Sequence, residues 1–210
     1  MLQSNPNWEE LYRKTIYAVS HDLGAPCRHI RSFSEIVMEN SKGLDGDSKA
    51  MLGHIHQAGI EVQSMLEGLL RLSRVYSRTS RLSVITGASV SQHFDAISDG
   101  LRSDTDILGN LDQLEIAVEE LIDNSNLYGK FSAVKVETKP KLFCLTVLDD
   151  GEGISTKDWE NAREPLQRIG QRRTADNVGM GLPIAEAIVQ QMNGSLVNRP
   201  EGVGIDIPAL

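Results

Sequence analysis

Apolar positions recur with a helical period along the first part of the chain. Ile16, Val19, Leu23, Pro26, Ile30, Phe33 and Val37 follow one another at spacings of 3 and 4. Met51, Ile55, Ala58, Val62, Met65, Leu69, Leu72 and Tyr76 repeat the pattern without a break. Two amphipathic helices are predicted, each carrying a seam of the kind that packs helix on helix. Between them NSKGLDGDSK joins two glycines to polar residues, which predicts a turn with Asp47 or Ser48 as N-cap of the second helix. A lone hairpin buries too little apolar surface, so the expected state is a homodimer through residues 1–80, closed as a four-helix bundle.

Beyond residue 80 the period changes. LSVIT, AVKVET and LFCLTVL are short β-branched runs, and they alternate with the helical segments NLDQLEIAVEELIDNSNLY and MGLPIAEAIVQQM. A layered α/β domain over residues 81–210 is predicted, distinct from the hairpin. GSLVNRPEGVGIDIPAL reads as its closing hairpin.

Composition narrows the classes. The apolar fraction of 40% over 210 residues is that of an ordinary globular chain. No apolar run approaches the roughly 18 residues of a membrane span. The start has no cationic segment leading into an apolar one, so no secretory signal is expected. A net charge of −8 argues against nucleic acid as a partner. Cys27 and Cys144 lie far apart in apolar surroundings and read as buried free thiols, as in a reducing cytoplasm. No input module is recognisable ahead of Trp8, which leaves the upstream signal to another domain or protein.

Three segments of the second half carry chemistry. VLDDGEGI ends a strand in Asp149, whose carboxylate can accept from an adenine amino group, while Gly151 and Gly153 let backbone approach a ligand. An acidic turn is the plainer reading of that motif alone. NVGMGLPIAEAIVQQM sets Gly179 and Gly181 before an apolar helix, where backbone N–H groups bind phosphate or simply form a cap. LEIAVEELIDNSNLYG puts Glu120 and Asn124 one turn apart on a helix face, and Asn124 offers a neutral oxygen to Mg²⁺, unless the face is merely solvated.

The order of these segments resembles the N, G1 and G2 boxes of the GHKL (Bergerat) ATP-binding fold, shared by sensor histidine kinases, gyrase, Hsp90 and MutL. The resemblance covers residues 110–207. It implies ATP and Mg²⁺ as cofactors, with Asp149, Gly151, Gly153, Gly179 and Gly181 on the nucleotide, Asn124 on the metal and Tyr128 at the end of the N box. Residues 155–178 become the ATP lid, in which Arg172 and Arg173 are candidate partners for the triphosphate.

SHDLGAPCRHI resembles the H box of histidine kinases, closest to the phytochrome-like group. The resemblance implies that His21 is the phosphoacceptor and Asp22 its acid neighbour, with the phosphoryl group passed on to an aspartate in the receiver domain of a separate response regulator. The helical pattern agrees. His21 falls on the face away from the apolar seam, and a carboxylate beside one ring nitrogen fixes the tautomer that leaves the other nucleophilic. Pro26 removes a helical N–H one turn on and permits a bend. His29, His54, His56 and His93 lack such an acid neighbour and read as solvated.

Several positions depart from the family pattern. Ser125, Asn126, Leu127 and Tyr128 stand where A-x-K-Y is usual, without the lysine. Arg163, Glu164, Pro165 and Leu166 replace a phenylalanine-rich box, and Asn177 stands for a leading glycine of G2. A histidine phosphotransfer dimer with little kinase activity is therefore one alternative. A plain ATPase using Glu120 to activate water is another. Ala25, where kinases that also dephosphorylate their partner carry Thr or Asn, implies weak phosphatase activity.

Overall fold

Both apolar repeats fold as helices. The computed structural model describes residues 8–41, 43–77, 81–99, 105–169 and 177–210. Helix α1 (Trp8–Asn40) runs through Pro26 without interruption, and α2 (Gly46–Ser77) returns beside it. The cap of α2 is Asp45 rather than Asp47 or Ser48. Its carboxylate accepts from the Ser48 N–H at 2.7 Å, and its carbonyl takes the Lys49 N–H at 3.1 Å. A cap must precede the first helical N–H groups, and Asp47 and Ser48 lie inside them. Hydrogen bonds from Ser48 hold the Asp45 carboxyl below the ordinary carboxylate range.

The contact between α1 and α2 does not use the predicted seams. Ser20, Cys27 and Ser34 are the buried residues of α1, and Gly59 of α2 lies against Arg31. Ser34 Oγ and His56 Nδ1 are 3.3 Å apart, and Arg31 Nη1 donates to Gln63 Oε1 at 3.1 Å. His56 is thus packed between the helices instead of solvated. At about 100° per residue, this buried row stands roughly a fifth of a turn from the apolar seam. Val19, Leu23, Ile30, Phe33 and Val37 consequently stay exposed on α1. The seam of α2 divides. Met51, Ile55 and Val62 are exposed, whereas Leu72 is buried and Met65 and Leu69 pack on the core of the C-terminal layers. A single continuous bundle seam on α2 is therefore replaced by two half-seams facing different partners.

The second half consists of β1 (Ser83–Thr86), α3 (Gly87–His93), β2 (Ile97–Asp99), β3 (Asp106–Gly109), α4 (Leu111–Tyr128), β4 (Phe131–Lys139), β5 (Leu142–Asp149), α5 (Trp159–Ala162), α6 (Gly181–Gln190), β6 (Ser195–Arg199) and β7 (Gly202–Pro208). Strands β2-β4-β5-β7-β6 form a five-stranded sheet, antiparallel except for β2 beside β4, and β1 pairs with β3 in a two-stranded ribbon. Register explains the layer. Val136, Leu145, Ile205 and Leu196 are partners across four strands, and Val134, Val147 and Val203 across three. All are buried, because side chains alternate across a pleated sheet and this face lies under α4 and α6. Lys135 and Glu137 alternate onto the other face, as does Asp206, which pairs there with Arg199.

The hairpin and the layers meet closely. A Cβ added to Gly68 would lie 2.5 Å from Met180 Cγ, so α2 approaches that side chain as only glycine allows. Gln191 Nε2 donates to the Val75 carbonyl at 2.6 Å, and Arg71 forms an ion pair with Glu120. Leu72 and Val75 join the same apolar cluster as Leu182 and Ile188. No helix among the described residues is long and apolar enough to cross a membrane.

Candidate functional site

Helix α4 brings Asn124, Ser125 and Tyr128 to one side of a cavity of about 860 Å³, and the loop after β5 brings Asp149 and Gly151 to its floor. The Asn110 side chain caps α4 by accepting the Gln113 N–H at 3.0 Å, which sets the helix phase. Leu114, Val118 and Leu121 then face the sheet, and Asn124 and Tyr128 lie on the flank that opens to the cavity. The end of α4 can reach the loop because two glycines meet there. A Cβ on Gly129 would stand 2.5 Å from Gly151 N.

Asp149 is held from both sides. Its Oδ2 accepts from Ser125 Oγ at 3.1 Å and its Oδ1 from the Gly151 N–H at 2.9 Å. The two contacts fix the orientation of the carboxylate and leave its remaining lone pairs to accept from a ligand amino group. Ser125 is itself buried, and its single hydroxyl proton is shared between Asp149 and the Leu121 carbonyl, 2.9 Å away. Gly153 adopts a left-handed φ of 71°, as the turn after the strand requires. Asn198 Nδ2 donates to the Ile154 carbonyl at 2.6 Å and ties that turn to β6.

Gly179 and Gly181 line the opposite side of the cavity, at the start of α6. Gly179 has φ of 72°, and a Cβ there would be 2.1 Å from the Gln167 carbonyl oxygen. Met180 at the N-cap makes no side-chain capping bond, so the first N–H groups of α6 remain available to an anion. Asn177 Nδ2 donates to Tyr128 Oη at 2.7 Å, linking the two walls. Arg172 and Arg173 lie outside the described residues.

Glu120 sits apart from the cavity lining. It is buried, paired with Arg71, and its Oε2 lies 3.3 Å from where a Gly181 Cβ would be. Burial raises its carboxyl above the usual range, with Arg71 opposing and Asp123 adding to the rise. Of the described residues, no cluster of three or more His, Cys, Asp or Glu is arranged to hold a metal ion by itself. A neutral amide oxygen such as that of Asn124, half-buried in the cavity wall, suits an ion whose remaining ligands are phosphate oxygens and water.

His21 lies on α1 with its side chain 73% exposed, and Nδ1 stands 3.2 Å from Asp22 Oδ1. Tyr17, one turn before, stacks on the ring with centroids 6.3 Å apart. On the helix wheel His21 points away from both the row facing α2 and the exposed apolar seam. A tautomer donating from Nδ1 to Asp22 leaves the Nε2 lone pair for a nucleophilic step. Of the other histidines, His93 is 3.5 Å from Glu115 and edge-on to Phe94.

Sequence reasoning did not assign Ser125, Asn177 or Asn198 to the site. Ser125 registered only as a departure from a pattern, and the bonds of Asn177 and Asn198 span 49 and 44 residues. No local signal marks such partners.

Comparison with known proteins accords with this geometry. Residues 109–206 match the family described as histidine kinase-, DNA gyrase B- and HSP90-like ATPase. The chain is 23% identical over 91% of its length to the sensor histidine kinase YcbM of Bacillus subtilis, covering 69% of that protein. It is 25% identical over 96% of its length to the sensor protein KdpD of Mycobacterium tuberculosis, but spans only 26% of that protein. Its fold resembles full-length ShkA, solved in complex with AMPPNP, at a TM-score of 0.54 and 15% identity over 93% of this chain and 46% of that one. Fold and cavity define an ATP-binding domain of the GHKL type. With the helical hairpin before it, the chain is similar over most of its length to sensor histidine kinases.

Proposed function

We propose that the chain is a two-component kinase core that uses ATP to phosphorylate His21 and passes the phosphoryl group to an aspartate of a separate response regulator. The observation that carries the reading is the exposed His21–Asp22 pair on a hairpin joined to a GHKL pocket. In this reading Asp149 accepts from the adenine amino group, with Ser125 and the Gly151 N–H keeping the carboxylate in place. Gly153 shapes the turn beneath the base, and Tyr128 closes the wall beside Asn177. The N–H groups after Gly179 and Gly181 face the phosphates, and Arg172 and Arg173 add positive charge to the lid. Asn124 supplies an oxygen to Mg²⁺, which when bound neutralises phosphate charge.

His21 Nε2 attacks the γ-phosphorus in line. The P–O bond to ADP breaks as the N–P bond forms, and the Nδ1 proton stays shared with Asp22. A second copy covers the exposed seam of the hairpin and completes a four-helix bundle. Each proton and charge is then handled by residues in one of two places, the helix face at His21 and the cavity under the lid. The pairing of Glu120 with Arg71, behind Gly181 and not on the cavity wall itself, weighs against hydrolysis as the main reaction.

The test is labelling with [γ-³²P]ATP. Wild type should acquire acid-labile, alkali-stable label, His21→Ala none, and Glu120→Gln should still label. Steady phosphate release without protein label, unaffected by His21→Ala and lost in Glu120→Gln, would instead identify an ATPase. Nucleotide binding with neither label nor turnover would identify the phosphotransfer alternative.

A further inference from the structure

Where the family pattern has phenylalanines, this chain has Arg163, Glu164, Pro165 and Leu166. Arg163 follows the short helix α5 and is largely buried. Its Nη1 is 3.2 Å from Glu186 Oε1 on α6, its Nη2 donates to Glu160 Oε2 at 2.5 Å, and its guanidinium carbon stands 5.3 Å from the centre of the Trp159 ring. The side chain of Glu186 is only 13% exposed, against 79% for Glu160. The pair with Glu186 is therefore the shielded one, little screened by solvent and costly to break from one side. Arg163 Nε and Glu186 Oε2 are both buried without a hydrogen bond, so a second, parallel N–H···O contact is within the chemistry of this pair.

The segment after Arg163 needs such a hold. Leu166 has φ of 64°, a left-handed conformation unfavourable for a side chain of its size, and its N–H donates to the Gly179 carbonyl at 2.9 Å. Gln167 lies against Gly179 so closely that no Cβ fits between them. Gln167 and Ile169 in turn line the nucleotide cavity. Among the described residues, one backbone bond to Gly179 and the ion pair to Glu186 tie this wall to the start and body of α6, beside the packing of Ile169 on the core.

We propose that the Arg163–Glu186 ion pair anchors residues 163–169 to α6 and thereby positions the Gln167–Ile169 wall of the nucleotide pocket. An electrostatic anchor replaces aromatic packing at this place. Both are positioning residues, since neither lines the large cavity. The same pair borders a second cavity of about 230 Å³, walled on one side by Leu72 and Tyr76 of α2, so the anchor also stands against the end of the hairpin. The role in nucleotide retention rests on the ATP-binding reading above, whereas the anchor itself does not.

The experiment is a double-mutant cycle with Arg163→Met, Glu186→Gln and both together, read in two ways. Amide hydrogen exchange without nucleotide should accelerate about tenfold across residues 164–169 in each single variant, and in the double variant by about tenfold rather than a hundredfold, because one shared contact is lost. Exchange in β4 and β5 should stay unchanged, which separates loss of an anchor from loss of the fold. Release of N-methylanthraniloyl-ADP with Mg²⁺ should follow the same non-additive pattern. If wild type binds no nucleotide while the exchange pattern holds, the ATP-binding reading falls and the anchor stands. If nucleotide binds but the variants exchange like wild type, or their effects multiply, the anchor is overturned.

Discussion

At the scale of single residues, Glu120 and Asp149 are two carboxylates on one domain with opposite surroundings. Asp149 receives donors from Ser125 and Gly151 and faces the cavity. Glu120 loses solvent and has Arg71 as its cation, and the loss of solvent prevails, so its carboxyl is raised. The folded chain then holds a proton there that the unfolded chain releases. The stability contributed by Glu120 is fully present below the ordinary carboxylate range and declines as pH rises through the raised value. Glu120→Gln removes this dependence. The stability of Glu120→Gln relative to wild type should therefore increase between about pH 4 and about pH 7, measured by denaturant midpoints across that range. A difference that shrinks with pH would mean that Arg71 outweighs burial. The motif EELIDNS placed Glu120 near Asn124 correctly along the helix, but its partner lies 49 residues earlier and no spacing rule points to it.

At the scale of elements, periodicity was legible for both long helices, for α4 and α6, and for β1, β4 and β5. Helix α3 and strands β2 and β3 were not anticipated, since they hold only 7, 3 and 4 residues and owe their conformation to the sheet they join. The seam of α1 is the informative case. Its five exposed apolar residues are left uncovered because Ser20, Cys27 and Ser34 already face α2, where Gly59 lies against Arg31. Small residues bring two helices close without needing large apolar side chains. In the proposed dimer this seam is what the second copy covers. Phe33→Glu together with Ile30→Glu should shift the proposed dimer to monomer in sedimentation equilibrium while nucleotide binding persists, because neither residue lines the cavity. Dimers that survive both charges would place the interface elsewhere.

At the scale of the whole molecule, the hairpin and the ATP-binding layers are tied by Arg71–Glu120, Gln191 to the Val75 carbonyl, and Met180 over Gly68. Arg71 is half-exposed, so the ion pair is worth less than a fully buried one. Arg71→Ala should still cost on the order of 1–2 kcal/mol, because it leaves the Glu120 carboxyl buried without its cation. Combined with Gln191→Ala, it should loosen the junction and enlarge the radius of gyration in small-angle scattering. An unchanged radius would mean that the apolar contact of Leu72 and Val75 suffices by itself. In the proposed reaction an exposed His21 and the pocket must meet for in-line transfer, so the strength of this junction would bear on how often they do.

The amino-acid order alone determined the helical hairpin, the layered second half, and which motifs carry a carboxylate, an amide and paired glycines. Those features depend on local period and on residue chemistry, both of which are written along the chain. Only the tertiary structure decided which face of α1 meets α2, that half of the α2 seam is claimed by the ATP-binding core, that Ser125 and Asn177 bond to Asp149 and Tyr128, and that Arg163 meets Glu186. These outcomes come from competition among surfaces distant in sequence. Each is settled by which contact excludes the most water or pairs a buried charge, and a local pattern records neither.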